Sequence, residues 1–405
     1  MTRSTDLIHH AYQPPAEFEA PQVGVFKAST VIFPNVAAMR TREWMDKSAY
    51  TYGLHGTPTT FTLEERLATL EGGKHCILTP SGLAAIAHVD FALLKTGDEV
   101  LIPDNAYAPN KSLAEGELAQ FGITHQVYDP LDVNDLAARI TERTRLVWLE
   151  AAGSVTMEFP DLVALVQLCK ARGVLCALDN TWGAGLAFNA FDLTPGQGEL
   201  GVDLTIHALT KYPSGGGDVL MGSIVTRSDE LARVLKLTHM RLGTGVGAND
   251  AEMVLRSLAS LPLRYKAQDT AARTLAAWCA SQPAFSQVLH PALTTSPGHR
   301  HWHQLCVTPQ APEGLAAGIF SVVVDARFPA HAVDAFCDSL QLFKLGYSWG
   351  GPMSLVMPYN MAQSRARATS HLQRGRVVRL CIGLEEVSDL QNDIAQALRI
   401  AKLNN

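Results

Sequence analysis

The stretch that decides the fold is Asp203-Leu-Thr-Ile-His-Ala-Leu-Thr-Lys211-Tyr-Pro-Ser-Gly-Gly-Gly-Asp218. It places a lysine at the end of an apolar run, beside a threonine and just before a glycine-rich turn. An exposed lysine seldom follows such a run, so we predict that Lys211 is a buried amine with a lowered pKa. Upstream, Val174-Leu-Cys-Ala-Leu-Asp179 has the composition of a buried strand that ends in an acid.

A strand-end lysine and a strand-end aspartate suit pyridoxal 5'-phosphate (PLP). The lysine carries this cofactor as a Schiff base, and the acid keeps its pyridine nitrogen protonated. Taken alone, Lys211 could be a solvated surface lysine, and Asp179 could simply cap the next turn. Because the two occur together and in this order, we favour a PLP enzyme.

A third segment, Thr79-Pro-Ser81-Gly82-Leu83, follows a short strand and opens a helix. The free N–H groups of a helix start attract phosphate. The alternative is an ordinary helix start with Ser81 as its N-cap. The triplet Gly215-Gly-Gly217 lacks the spacing of a dinucleotide-binding loop.

Composition restricts the class of protein. The chain has 405 residues, 47% of them hydrophobic and 18% charged, which is typical of a globular protein of two or three domains. The net charge of -6 argues against nucleic-acid or anionic-membrane partners. The N-terminal residues lack the apolar core of a signal peptide, and no apolar run is long enough for a membrane span. An odd number of cysteines, seven, without a C-x-x-C pair indicates reduced core thiols and a cytoplasmic location.

We predict three regions: an N-terminal arm over 1–60, a large cofactor-binding domain over 61–255 and a smaller α+β domain over 256–405. Apolar runs separated by helices indicate a mostly parallel sheet with crossovers, and therefore an α/β fold. The predicted strands of the large domain are Glu99–Pro103, Arg145–Glu150, Val174–Asp179, Asp203–Ala208 and Gly222–Thr226. Its predicted helices are residues 62–71, Leu83–Lys95 and Asp161–Arg172, and one long helical stretch is predicted from Asp250 to about Ala280.

The tract His299-Arg-His301-Trp-His303 resembles a metal-binding segment, but no acid or cysteine of ligand spacing accompanies it. We interpret it as a solvated loop and predict no metal site.

Taken together, these motifs resemble the PLP-dependent enzymes of cysteine and methionine metabolism, from about residue 24 to the C-terminus. The arm segment Tyr52-Gly-Leu-His-Gly56-Thr-Pro-Thr59, with Leu70-Glu71-Gly72, is similar to the family's arm. Other segments match the family's phosphate loop, its pyridine-nitrogen segment and its Schiff-base lysine: Ser81-Gly82-Leu83, Asp179-Asn-Thr-Trp182 and Thr210-Lys211-Tyr212. Four further segments are similar to the carbon–sulfur lyases of the family: Ala106–Pro109, Gly153–Glu158, Tyr347–Gly351 and Arg379–Glu385.

The resemblance implies the fold of PLP fold type I, the aspartate-aminotransferase-like fold, and a role for each matching residue. Tyr107 would stack on the pyridine ring, and Gly82 and Leu83 would donate backbone N–H groups to the phosphate. Thr210 would add a hydroxyl, and Tyr52 would reach the phosphate of a neighbouring subunit. The expected assembly is therefore a homo-oligomer, a dimer or a tetramer built of two dimers.

The resemblance also implies a substrate site and a reaction. Arg379 would bind the substrate carboxylate bidentately, with Ser348, Trp349 and Tyr107 beside it. Lys211 and Tyr107 would be the catalytic residues. The implied reaction is α,β-elimination on cystathionine, a small sulfur amino acid, to homocysteine, pyruvate and ammonia. The alternatives are a γ-acting synthase or lyase of the same family, or a non-catalytic relative that keeps the fold.

Two positions depart from the family pattern. Leu54 stands where the family has an arm arginine, and Ala208 stands where it has a serine, and both missing groups are phosphate ligands. His55 and His207 are the two neighbouring candidates for replacing them, and the sequence does not distinguish between them.

Overall fold

The computed structural model describes residues 3–12, 21–196, 199–309, 311–361, 365 and 371–403. Its centre is a sheet of seven strands with the spatial order β1-β7-β6-β5-β4-β2-β3. The strands are β1 (His75–Thr79), β2 (Glu99–Pro103), β3 (Thr124–Tyr128), β4 (Thr144–Glu150), β5 (Leu175–Asp179), β6 (Leu204–Ala208) and β7 (Gly222–Thr226). Only β7 runs antiparallel to its neighbours, so the predicted mostly parallel sheet is confirmed.

The central strands are apolar without alternation because helices cover both faces of the sheet. In β2, the consecutive residues Val100, Leu101 and Ile102 are all fully buried. The α-helices of this part of the chain are α1 (Arg3–Ile8), α2 (Val36–Thr41), α3 (Pro58–Glu71), α4 (Gly82–Leu93), α5 (Ala108–Leu113), α6 (Val133–Arg139), α7 (Leu162–Arg172) and α8 (Asp229–Leu242), and a π-helical segment, Ala114–Leu118, continues α5. Helix α4 packs on β6 and β7, whereas α3 packs on β1 and β7.

The C-terminal part of the chain forms a second, five-stranded sheet with the order β10-β11-β12-β9-β8. Its strands are β8 (Phe285–Leu289), β9 (Ile319–Asp325), β10 (Lys344–Leu345), β11 (Leu355–Tyr359) and β12 (Gly375–Cys381). Its helices, with those that lead into it, are α9 (Ala248–Leu258), α10 (Leu261–Ala280), α11 (His299–Cys306), α12 (Ala330–Ser339) and α13 (Val387–Ile400). The predicted α+β character is confirmed, whereas the boundaries at residues 60 and 255 stay predictions.

Three features differ from the sequence-based interpretation or extend it. The tract from His299 to His303 is the helix α11 and not a loop, because Trp302 and Cys306 are buried on its inner face. The long stretch before residue 280 is two helices, α9 and α10, the second with proline in its first turn. At the N-terminus, Leu7 of α1 is buried and belongs to the main core.

All seven cysteines are buried free thiols, as the sequence predicts. In the described ranges, no helix combines the length and the apolar character needed to cross a membrane. No group of three or more histidine, cysteine, aspartate or glutamate side chains in those ranges is arranged to hold a metal ion.

Candidate active site

Lys211 follows β6 at the carboxyl edge of the large sheet, where open α/β folds assemble their sites. Its Nζ donates a hydrogen bond to Ser348 Oγ at 3.0 Å and lies 5.4 Å from the centre of the Trp349 ring. Burial, and then the nearby positive charge of Arg379, lower the pKa of the amine to about 8. The predicted low-pKa amine is confirmed, and at neutral pH an appreciable fraction of it can accept a proton.

Asp179 ends β5, the neighbouring strand. The Thr181 backbone N–H donates to Asp179 Oδ1 at 3.0 Å, and the Thr181 hydroxyl in turn accepts from the Ala208 N–H at 2.9 Å. Burial raises the pKa of Asp179 despite these contacts and despite the nearby His207 and Lys211. Among the residues that the structure describes, no cation forms an ion pair with this carboxylate, and the protonated ring nitrogen of PLP would supply one.

Arg379 lies in the middle of β12, and 6% of it is exposed. Its Nη2 donates to the Tyr347 carbonyl at 2.6 Å. Among the described residues, its buried Nε has no hydrogen-bond partner. A buried guanidinium with a free donor fits a carboxylate ligand, because the missing acceptor is what such a ligand provides.

The segment with Ser348 and Trp349 packs directly on the backbone that follows Lys211. Gly350 has a φ of +82°, and a Cβ there would lie 2.9 Å from the Tyr212 nitrogen, so only glycine fits without strain. The Tyr212 ring, fully buried, meets the Trp349 ring edge-on at 5.4 Å. This packing brings together Lys211 and residues 137 positions later in the chain.

The N-terminus of α4 lies beside β6. Ser81 is its N-cap and accepts from the Ala84 N–H at 3.0 Å. The N–H groups of Gly82 and Leu83 have no acceptor within the helix and can serve an anion. A Cβ on Gly82 would lie 2.6 Å from the Cβ of Ala208, so the loop backbone approaches β6 too closely for a side chain.

Thr210 and Tyr107 are two further residues that are predicted to bind the cofactor. Within the described ranges, the Thr210 hydroxyl makes only long contacts with the Met221 backbone, at 3.4 and 3.5 Å, which leaves it able to bind a phosphate oxygen. Tyr107 caps α5 without a side-chain bond, and its backbone N–H donates to Glu150 Oε2 at 2.7 Å. Burial, and then the charges of Asp179 and Glu150, raise the pKa of the Tyr107 phenol.

Tyr52 belongs to the arm and is 44% exposed. Its hydroxyl accepts from Ser29 Oγ at 3.3 Å, and its ring meets that of His55. Neither of these two contacts, with Ser29 and with His55, reaches Lys211 or the residues next to it. The role predicted for Tyr52 needs a second subunit and stays a prediction.

His207 does not replace the missing phosphate ligands. Its Nδ1 lies 2.9 Å from Glu71 Oε1, and both groups are buried. Because side chains alternate along a strand, His207 faces α3, whereas Ala208 faces the Gly82 loop. His55 is bound within the arm, with its Nδ1 2.9 Å from Thr51 Oγ1 and its ring 4.9 Å from that of Trp44.

Sequence reasoning overlooked Glu150, the last residue of β4. It is the register partner of Asp179 on the next strand, and burial followed by the Asp179 charge raises its pKa to about 8. A signal was available, because Glu150 is a strand-end acid like Asp179.

The fold and the site together define a PLP-dependent enzyme. Lys211 fits the amine that carries the ring, and Asp179, which forms no ion pair among the described residues, fits the ring nitrogen. The open N-terminus of α4 fits the phosphate. Arg379, whose Nε has no partner in the described ranges, fits a substrate carboxylate. The profile of the family described as "Cys/Met metabolism PLP-dependent enzyme" matches residues 4–399. The chain belongs to this family, and PLP is its cofactor.

Individual relatives show where the chain lies within the family. A protein of Bordetella avium named cystathionine beta-lyase is 34% identical over 92% of this chain and 90% of its own length. A protein of Wolbachia pipientis named L-alanine/L-glutamate racemase is 32% identical over 88% of this chain and 84% of its own. Among solved structures, metB from Corynebacterium glutamicum superposes with a TM-score of 0.86 and 28% identity, over 98% of each chain.

Proposed function

We propose that this protein is a cystathionine β-lyase, which converts cystathionine into homocysteine, pyruvate and ammonia. The observation that carries the proposal is the Lys211 amine, whose pKa is about 8 and which lies between Ser348 and the Trp349 ring. The names of relatives such as the Bordetella avium protein support the choice of substrate.

The residues divide the work of binding and proton transfer. Arg379 binds the α-carboxylate of the substrate through its unsatisfied Nε and orients Cα toward Lys211. When bound, PLP supplies an electron sink for the electron pair left at Cα. Lys211 takes the Cα proton as a base and then donates it to the sulfur that leaves Cβ. A pKa near neutrality suits both steps, because each protonation state is populated.

The remaining residues hold the cofactor. Asp179 would pair with the ring nitrogen, and Tyr107 would lie against the ring. The backbone N–H groups of Gly82 and Leu83, with the Thr210 hydroxyl, would bind the phosphate.

The test is a product assay on the purified protein supplied with PLP. With cystathionine, we expect pyruvate and homocysteine in equal amounts. Accumulation of 2-oxobutyrate would instead identify a γ-acting enzyme, and the absence of turnover with every sulfur amino acid would identify a non-catalytic relative. L-alanine and L-glutamate belong in the panel because the Wolbachia relative is named a racemase of both.

We also propose that the active unit is a homodimer or a tetramer of two such dimers, located in the cytoplasm. The arm supports the assembly, because Ile32 is 83% exposed and Val36 and Met39 are exposed beside it. The seven free thiols support the location. Sedimentation of a fully active monomer would contradict the assembly.

A further inference from the structure

Glu150 connects two parts of the active site that the family motifs do not connect. It ends β4, it is 7% exposed, and its carboxylate accepts the Tyr107 backbone N–H at 2.7 Å. Its register partner is Asp179 at the end of β5. One side chain thus contacts the segment of the stacking tyrosine and lies beside the acid of the ring nitrogen.

The turn after Glu150 also contacts the segment that contains Tyr107. The Ser154 N–H donates to the Asn105 carbonyl at 2.8 Å. A Cβ on Gly153 would lie 2.1 Å from Asn105 Nδ2, so the two loops touch without room for a side chain. The position of Tyr107 therefore depends on the end of β4 more than on α5, where it makes no side-chain cap.

We propose that Glu150 is a positioning residue, which holds Tyr107 at the ring position and determines the charge next to Asp179. Glutamate has the length to reach the Tyr107 N–H from the strand end while staying beside Asp179. This inference rests on the cofactor site of the family and not on the choice of cystathionine as substrate.

The charge of Glu150 follows from its surroundings. Burial and then Asp179 raise its pKa, whereas Ser154, the Tyr107 N–H and Arg365 lower it, and the balance lies at about 8. Burial, followed by the charges of Cys169, Cys176 and Glu150, raises the pKa of the Tyr128 phenol, whose hydroxyl donates to the Trp148 carbonyl. At neutral pH Glu150 is therefore mostly a neutral acid, and Asp179 is spared a second negative charge beside it.

The pH dependence has a definite sign. Because the pKa of Glu150 rises from 4.5 to about 8 on folding, its contribution to stability is complete below pH 4.5, is lost as the pH rises from 4.5 through 8, and changes little above that. Glu150→Gln keeps an acceptor for the Tyr107 N–H and removes the ionisation. The melting temperature of this variant should therefore rise relative to the wild type between pH 6 and 9.

The experiment compares Glu150→Gln, Glu150→Ala and the matched control Glu99→Gln. Glu99 is 2% exposed and lies at the opposite edge of the same sheet, where it accepts from Thr141 and Thr144. The readouts are the PLP dissociation constant from equilibrium dialysis at pH 7 and the melting temperature of each protein from pH 6 to 9.

We expect the PLP dissociation constant of Glu150→Gln to stay within ~3-fold of the wild-type value. In Glu150→Ala we expect it to rise ~10-fold, because the hydrogen bond that positions Tyr107 is lost. Glu99→Gln should leave PLP binding unchanged even where it lowers the melting temperature. Unchanged PLP binding in Glu150→Ala would overturn the proposal. So would a melting-temperature difference between Glu150→Gln and wild type that is constant with pH. Neither readout uses cystathionine, so failure here is distinct from failure of the pyruvate assay.

Discussion

The two ends of the site are built in different ways. We call one the reaction end, which consists of Lys211, Asp179, Ser348, Trp349 and Arg379. We call the other the phosphate end, which consists of Gly82, Leu83, Thr210 and Ala208. The arm residues Tyr52 and Leu54 are predicted to lie at the phosphate end of a second subunit. The reaction end holds buried charges with shifted pKa values and a guanidinium with a free donor. Within one chain, the phosphate end offers mainly backbone N–H groups and the Thr210 hydroxyl.

This difference separates two physical tasks. The reaction end must move protons and select one substrate geometry, so its groups are charged, desolvated and rigid within a single chain. The phosphate end only has to hold an anion, and a helix N-terminus does this without side chains. The arm is held by contacts of its backbone carbonyls with side chains of α8. Lys236 donates to the His55 carbonyl at 2.9 Å, and the His239 Nε2 lies 3.0 Å from the Leu54 carbonyl.

We expect the largest loss of activity from a substitution of Lys211 at the reaction end. In Lys211→Ala, we expect kcat/KM to fall by at least ~10³-fold, because the residue that moves the proton is gone. The visible absorption band of lysine-bound PLP should also disappear. Lys170→Ala, at a lysine that bonds to Asp203 outside the site, should keep both properties. An intact visible band in Lys211→Ala would show that another amine carries the cofactor.

The next effect is expected at Asp179. Asparagine has no charge to keep the ring nitrogen protonated, so Asp179→Asn should lower kcat by ~10²-fold, equivalent to ~2.7 kcal/mol of transition-state stabilisation. Steady-state rates at saturating substrate and PLP measure this. A kcat near the wild-type value would show that Asp179 is not the partner of the ring nitrogen.

Arg379→Lys tests whether the reaction end selects geometry as well as charge. Lysine keeps the positive charge but cannot bind a carboxylate bidentately. We expect KM to rise and kcat/KM to fall by ~10-fold or more, because a hydrogen bond to a charged group is worth ~1.5–3 kcal/mol. Arg376→Lys, on the same strand β12, is the matched control and should change neither constant. Equal values for the two variants would contradict the assignment.

Ala208→Ser tests the phosphate end. Ala208 faces the Gly82 loop, so a serine hydroxyl there would point toward the N–H groups that receive the phosphate. We expect PLP to bind up to ~10-fold more tightly, measured by equilibrium dialysis. An unchanged dissociation constant would mean that the backbone donors already satisfy the phosphate.

Leu54→Arg should have the smallest effect. The Leu54 Cδ1 would lie 3.0 Å from a Cβ on Gly245, so this side chain is already packed where an arginine would need space. We expect less tightening of PLP than in Ala208→Ser, by the same dialysis. A larger gain would show that the arm, and not α4, limits phosphate binding.

The sequence-based predictions are accurate where a short segment carries a strong pattern of its own and inaccurate where it does not. Strands β2 and β7 begin and end at the predicted residues, because an apolar run buried on both faces is a strong local signal. Strand β3 was not predicted, because Thr124-His-Gln-Val-Tyr128 lies at the sheet edge and is only partly buried. The tract from His299 to His303 was assigned to a loop because its histidines obscured the helical spacing of Trp302 and Cys306.

Some functional contacts are not encoded in any one segment. The contact between Lys211 and Ser348 depends on how the second sheet packs on the first. The hydrogen bond between His207 and Glu71 depends on which face of β6 the helix α3 covers. Glu150 becomes part of the site only because β4 and β5 pair in a register that aligns their last residues.

The sequence by itself determined the α/β class, the strand-end lysine and aspartate and the helix start for the phosphate. Each of these is a property of about ten consecutive residues, whose periodicity and end groups are local. Only the tertiary structure decided that Glu150 lies beside Asp179 and that His207 faces α3 and not the Gly82 loop. It also decided that Arg379 keeps a buried Nε without a partner among the described residues. Those outcomes depend on strand register, on helix packing and on the solvent excluded when distant segments meet, and no local pattern carries that information.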